Sequence, residues 1–301
     1  MPARLVFAAL LLVCLLPVSS WAAGLKLAVV LSEQGGGYLE YSNALAGLLQ
    51  DKNVTMRVID AGQSLPEADL VIAAGMKASI EVARAQPAAM LAVLVPKEGV
   101  GKLESDYPAL LNGGNHIFSA VYLDQPVKRQ LDLILAALPG IHSIGVLYSE
   151  PPGELAALRK IAGAKKLELH EQSTTSFANL FVSLQTLLLS SDVLLALPDT
   201  EVYNASTIRN ILLATYRNKV PLIGISPGYV KAGALCAVFS TPKQIAEQSA
   251  NLVLEFIGSH TLPAAQYAKQ FDVLVNAQVA RSLGLNIRSA SEVRDEIGAV
   301  P

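Results

Sequence analysis

VLLALPDTEVYNASTIRNILLATYRNKVPLIGISPGYVKAGAL, from Val193 to Leu235, decides how this chain folds. An apolar run at 193–197 stops at Pro198-Asp199-Thr200, and an amphipathic helical pattern follows. A second apolar run at 220–225 then stops at Ser226-Pro227-Gly228. Strands that are apolar throughout are buried on both faces, as in a parallel sheet covered by helices. In open sheets of that kind, ligands sit beyond the carboxyl ends of the strands. The groups offered here are hydroxyls, amides and one carboxylate, which suit holding a solute better than transforming one.

The same alternation extends outward. Strand-like runs at 25–31, 54–59, 70–74 and 90–95, apolar apart from Lys26, Thr55 and Arg57, are interleaved with helical patterns at 39–49 and 77–85. Residues 96–115, punctuated by Gly99, Gly101, Pro108, Gly113 and Gly114, read as loop. Residues 117–123 read as an extended crossing into a helix at 127–138. The alternation restarts with 143–148, 154–165, 167–170 and 177–188. Beyond the quoted stretch come a strand at 234–239 and a helix at 242–257 with Pro242 in its first turn and Gly258 after it. A strand at 271–275 and a short helix at 277–283, capped by Asn276 and stopped by Gly284, complete the pattern. The expected fold class is α/β, with two doubly wound parallel-sheet lobes joined by a hinge. Lobe 1 is expected at 23–121 plus approximately 241–268, and lobe 2 at 122–240 plus approximately 269–301.

The first 22 residues read as a signal peptide. Arg4 precedes an apolar stretch at 5–16, Pro17 breaks it, and Ser20-Trp21-Ala22 supplies small residues at the cleavage positions. Cys14 lies inside the apolar stretch, so it is not read as a lipid-anchor site. Export then leaves Cys236 as the sole cysteine, with no internal disulfide, in a strand where a buried, inert thiol is expected. The whole chain has 301 residues, 52% of them hydrophobic and 16% charged, with a formal net charge of −2. That composition suits two densely packed lobes and excludes disorder. With no basic run or face, nucleic-acid binding is excluded as well.

Motif chemistry points the same way. Gly224-Ile225-Ser226-Pro227-Gly228 has the spacing of a nucleophile elbow. The residue after the nucleophile must donate a backbone N–H to the oxyanion, however, and Pro227 has none. Gly35-Gly36-Gly37 is followed by Glu40 where a dinucleotide loop needs glycine, so it reads as a turn with amides facing the cleft. His116, His142, His170 and His260 are scattered and show no metal-ligand spacing. What remains is the ring of small polar residues at strand ends: Ser32, Gly75, Ser149 with Glu150, Asp199 and Ser226. Each is equally readable as a helix N-cap. Together they fit a zwitterion whose carboxylate meets hydroxyls and helix N-terminal amides and whose ammonium pairs with Asp199. Tyr38, Tyr148 and Tyr203 stand close enough to stack on an apolar side chain, with core packing the equal alternative for Tyr148.

Four segments in this order carry a family likeness. They are Gln130-Leu131-Asp132-Leu133 with Ile144-Gly145-Val146-Leu147-Tyr148; Leu197-Pro198-Asp199-Thr200; Val220-Pro221-Leu222-Ile223-Gly224 with Ala232-Gly233-Ala234-Leu235; and Val275-Asn276 with Leu283-Gly284-Leu285. Over residues 25–287 the chain resembles the periplasmic substrate-binding proteins of ABC importers of the TrpX-like group. These have the type I periplasmic-binding-protein fold and include aromatic amino acid binders. The resemblance implies that Asp199 and Thr200 touch ligand and that Gly75 to Ser79, Lys77 included, form the facing wall. It also implies a monomer in the periplasm that hands a small solute to a membrane permease, without a cofactor. Asn112-Gly113-Gly114-Asn115-His116 and Val95-Pro96-Lys97-Glu98 depart from the family pattern. Two alternatives share the sequence: a ligand-sensing subunit for a transmembrane receptor, and an α/β enzyme using Asp199 and Ser226.

Overall fold

The computed structural model describes residues 24–109, 117–174 and 177–298. The expected signal peptide, the 112–115 turn and His116 lie outside the described residues. The first sheet contains β1 (Leu25–Leu31), β2 (Val54–Asp60), β3 (Leu70–Ala74), β4 (Ala89–Val95), β5 (Ile117–Tyr122) and β11 (Gln266–Tyr267). Its order is β11-β5-β4-β3-β1-β2, with every pairing parallel. β3 and β4 are buried along their whole length, as their uninterrupted apolar sequence requires. Helices α1 (Gly36–Leu49) and α9 (Pro242–Ser259) pack against each other on one face of this sheet. On the other face lie α2 (Met76–Ala85) and α3 (Lys97–Asp106).

The second sheet contains β6 (Ser143–Tyr148), β7 (Glu168–Ser173), β8 (Val193–Leu195), β9 (Leu222–Gly224), β10 (Cys236–Phe239) and β12 (Asp272–Val275). Its order is β12-β10-β9-β8-β6-β7, parallel except for the antiparallel β10–β12 edge. Its helices are α4 (Val127–Ala137), α5 (Leu155–Ala164), α6 (Phe177–Leu188), α7 (Ile208–Arg217), α8 (Pro227–Ala232), α10 (Ala277–Ser282) and α11 (Ala290–Gly298). Thr241 and Gln244 form a reciprocal capping box at the start of α9, and Asn276 caps α10 by accepting from the Val279 N–H.

Three passages join the lobes, after β5, after β10 and after β11, and a buried polar relay laces them together. Gln125 Nε2 donates to Ser240 Oγ (2.9 Å), and Ser240 Oγ donates to the Gln270 carbonyl (2.6 Å). Arg129 donates to Gln125 Oε1 (2.6 Å) and to the Ala268 carbonyl (3.1 Å) while stacking on Phe271. One group from each passage is thus satisfied by another, which ties the three passages together.

Several local expectations are corrected. Residues 97–106 are helical, not loop, and of the two glycines that hid α3, Gly99 serves its packing. A Cβ on Gly99 would stand 3.0 Å from Val95 and 3.1 Å from Met76. Gly36 and Gly37 open α1 instead of forming a turn before it. After Asp199 the chain makes a hydrogen-bonded turn, and the helix waits until Ile208, because the Asp199 and Thr207 side chains take up local backbone groups. The two-residue β11 and the terminal α11 carry too little apolar sequence to be read beforehand. Burial pushes the Cys236 thiol up to about 12, consistent with an inert core residue. Among the described residues no helix is long and apolar enough to cross a membrane, and no group of His, Cys, Asp and Glu is arranged to hold a metal.

Candidate functional site

A cavity of about 500 Å³ lies between the lobes. Lobe 1 contributes the first turns of α3, beginning at Lys97. Lobe 2 contributes the 152–154 loop, Leu155 and Leu158 of α5, and the end of β8 with Leu195, Leu197 and Pro198. A second cavity of about 210 Å³ reaches under the hinge to Ser226 and Ser240. Asp124, in the first passage, borders both. The lining combines the leucine side chains of lobe 2 with charged groups, so the space suits an amphipathic solute.

The backbone that presents Lys97 is irregular for a reason. Leu94 has φ +56 where the β4–β5 register shifts between Val93 and Val95. A non-glycine residue in the left-handed region at a bulge re-aims the chain that follows it, here Pro96 and the start of α3. Lys97 then does two things. Its N–H donates to Asp124 Oδ1 (2.8 Å), tying the first turn of α3 to the hinge passage. Its ammonium meets Glu154 Oε1 of lobe 2 at 2.8 Å, 5.5 Å from the centre of the Tyr267 ring. The Tyr267 hydroxyl donates to the same Glu154 oxygen, and Tyr122 packs edge-on against Tyr267 at 5.0 Å. Glu154 holds the Lys97 ammonium above its ordinary range. Burial, and then Glu154, push the Tyr267 phenol up. With side chains 43% and 29% exposed, the Lys97–Glu154 pair contributes only about 0–1 kcal/mol. A bound solute can therefore outweigh this contact across the cleft.

Asp124 is different. Burial raises its carboxyl to about 6, only partly offset by hydrogen bonds from the Lys97 N–H and its own backbone N–H. Among the described residues it forms no salt bridge.

The residues expected from sequence fall into two clusters and several single positions. In lobe 1, Ser32, Tyr38 and Gly75 come together: Ser32 Oγ accepts from the Ala78 N–H (3.0 Å), and Gly75 has φ +88. A Cβ there would stand 2.6 Å from Ser32 Oγ and 2.7 Å from the Tyr38 hydroxyl. Gly75→Ala is therefore expected to cost about 1–3 kcal/mol through backbone strain and a displaced Tyr38. Urea denaturation checks this, and an unchanged midpoint would remove the close approach. Ser79 is fully buried in α2 with its hydroxyl unpartnered among the described residues, and Lys77 is exposed. In lobe 2, Asp199 Oδ2 accepts from Ser149 N–H (2.6 Å) and Oγ (2.8 Å), and Oδ1 from the Glu201 (3.0 Å) and Val202 (3.1 Å) N–H groups. Glu150 and Thr200 are exposed beside this clasp, and Tyr148 and Tyr203 are buried in the lobe 2 core. Of the ten expected residues only Ser226 lines either cavity. Lys97, Asp124, Glu154 and Tyr267 were not anticipated, although Lys97 and Asp124 each stand two residues beyond a strand, where the sequence rule about strand ends applies to them too.

The sequence profile of ABC transporter substrate binding proteins matches residues 119–295. The chain belongs to that family. Its fold is shared with solved structures. A conserved domain protein from Vibrio cholerae O1 biovar eltor is 25% identical with a TM-score of 0.60, covering 91% of this chain and 98% of its own. A ligand-free, open substrate-binding protein with adhesive properties from Clostridium difficile is 16% identical with a TM-score of 0.70, covering 89% and 97%. An ABC domain in complex with L-Trp from Streptococcus pneumonia is 16% identical with a TM-score of 0.63, covering 90% and 98%. The two parallel-dominated sheets are those of the type I periplasmic-binding-protein fold. No curated protein sequence matches the chain. Family membership makes this a solute-binding protein that works with a membrane permease, a role typically performed outside the cytoplasm.

Proposed function

We propose that the chain is an exported, monomeric receptor of an ABC importer that binds an amino acid with an apolar side chain in the interlobe cleft. It closes by hinge motion and presents the solute to its permease from the periplasm, after loss of residues 1–22. The observation that carries this reading is the cavity itself, walled by leucines of lobe 2 and bordered by charged groups of lobe 1, the hinge passage and Glu154. A zwitterion with an apolar body satisfies both, whereas a sugar would leave the leucines against hydroxyls. The L-Trp complex of the pneumococcal neighbour shows that this fold accommodates such a solute. The three laced passages supply a hinge, and the weak Lys97–Glu154 contact adds a latch that ligand can reinforce or replace.

A thermal-shift screen over amino acids, purine bases and small peptides tests the proposal, with small-angle scattering on the hits. An apolar amino acid at 100 times its Kd is expected to add about 2.7 kcal/mol to folding stability and to reduce the radius of gyration. A screen in which only sugars, purines or nothing at all stabilises the protein would remove the amino-acid reading.

A further inference from the structure

We propose that Asp124 is the seat for the ligand's cationic group, an inference that rests on the solute-binding reading above and assigns the charge that solute must carry. The cavity needs a carboxylate with acceptor capacity to spare. Asp199 has none, since both its oxygens are taken by four donors of its own lobe. Glu154 already holds Lys97 and Tyr267 on one oxygen, and that pair is neutral as a unit. Asp124 accepts only two backbone N–H groups, against roughly four lone-pair sites on a carboxylate. It also borders both cavities, directly in front of the hinge.

Charge balance gives the same answer. Lys97 is paired with Glu154, and Glu98 and Lys102 on the same cavity wall are exposed and of opposite charge, so the part-buried Asp124 is left as one negative charge without a bonded cation. A part-buried carboxylate without a cation is unfavourable in the empty protein, and desolvation on closure makes it more so. A primary ammonium arriving with the solute supplies the missing partner when the lobes shut. A carboxylate there would meet repulsion, which excludes purely anionic solutes.

The test presents the same apolar body in three charge states: phenethylamine, 3-phenylpropionate and L-phenylalanine; tryptamine, indole-3-propionate and L-tryptophan; isoamylamine, 4-methylvalerate and L-leucine. Each is titrated calorimetrically into the full mature chain and into Asp124→Asn. In at least one series the amine and the amino acid are expected to bind and the acid to fail. Asp124→Asn should lose ~30-fold or more of that affinity. For a second readout that needs no variant, wild-type affinity for the amine should fall as pH drops through about 6. The charged and titratable groups around Asp124 are Lys97 and Glu154, with Tyr122 and Tyr267 beside them and the exposed Glu98 and Lys102 of α3 on the same cavity wall; Lys97 and the tyrosines do not titrate in that range. A role limited to capping α3 would leave the charge preference of the probes unchanged in the variant, and that result overturns the proposal. So does binding of the acids as tight as that of the amines, or no binding in any series. If the broader screen meanwhile finds another solute, the receptor reading survives and the cation seat does not.

Discussion

Asp199→Ala is expected to destabilise lobe 2 by about 3 kcal/mol, lowering Tm by roughly 6 °C or more. The carboxylate bridges the end of β6 to the turn that leads toward α7, taking two donors from Ser149 and one each from Glu201 and Val202. Alanine leaves all four without an acceptor. Glu201 is exposed and its N–H can return to water, but Val202 is fully buried, so its N–H bears the larger penalty. Asp199→Asn retains one acceptor oxygen and turns an amide NH2 toward the remaining donors, so a smaller loss of about 1–2 kcal/mol is expected. Ser149→Ala, which deletes only the hydroxyl, should cost about 1 kcal/mol. Chemical denaturation of the three variants checks the series. A ligand contact behaves in the opposite way: if Asp199→Ala kept its denaturation midpoint and lost solute affinity, the clasp would be displaced and Asp199 restored as an ion seat.

The strands were legible because parallel β-strands buried on both faces need near-continuous apolar runs: β3, β4 and β10 are apolar throughout, and β1 and β6 are so apart from Lys26 and Ser143. α3 was not. Its buried face consists of Val100 and Leu103 alone, and Gly99 is present because the helix approaches β4 and α2 too closely for a side chain. Glycine in a helical segment reads as a breaker until the neighbour that demands it is known. The site was harder still. A small polar residue after a strand satisfies a cap and a ligand equally well on paper, and Asp199 turned out to be bonded to its own turn. The polar groups that meet across the cleft, Lys97, Asp124, Glu154 and Tyr267, come from four separate segments. Glu154 and Tyr267 stand 113 positions apart and meet only because the chain returns to lobe 1 through β11. No local pattern records that return.

Asp124→Asn should make the empty protein more stable at neutral pH, the reverse of Asp199→Ala. The carboxyl of Asp124 is raised from its ordinary value to about 6, with burial the largest cause. In the unfolded chain it ionises near 3.9. Below that value the group is protonated in both states and contributes no penalty. As pH rises through about 6 the folded protein must ionise a desolvated carboxylate, and the stability held by the protonated form is lost. Two decades in proton affinity correspond to about 3 kcal/mol, so a gain of about 1–3 kcal/mol is expected for the asparagine variant at pH 8. Asparagine keeps an acceptor for the Lys97 N–H, which leaves the first turn of α3 in place. Near pH 3.5 the two proteins should unfold at the same denaturant concentration. Other carboxylates titrate over this range too, but they are common to both proteins and cancel in the difference. A difference independent of pH would show that Asp124 acts through its shape and hydrogen bonds alone. A variant less stable at every pH would place a cation beside it in the ligand-free protein. A stability gain confined to high pH is what a site residue shows when its charge costs stability until a solute's ammonium arrives to pair with it.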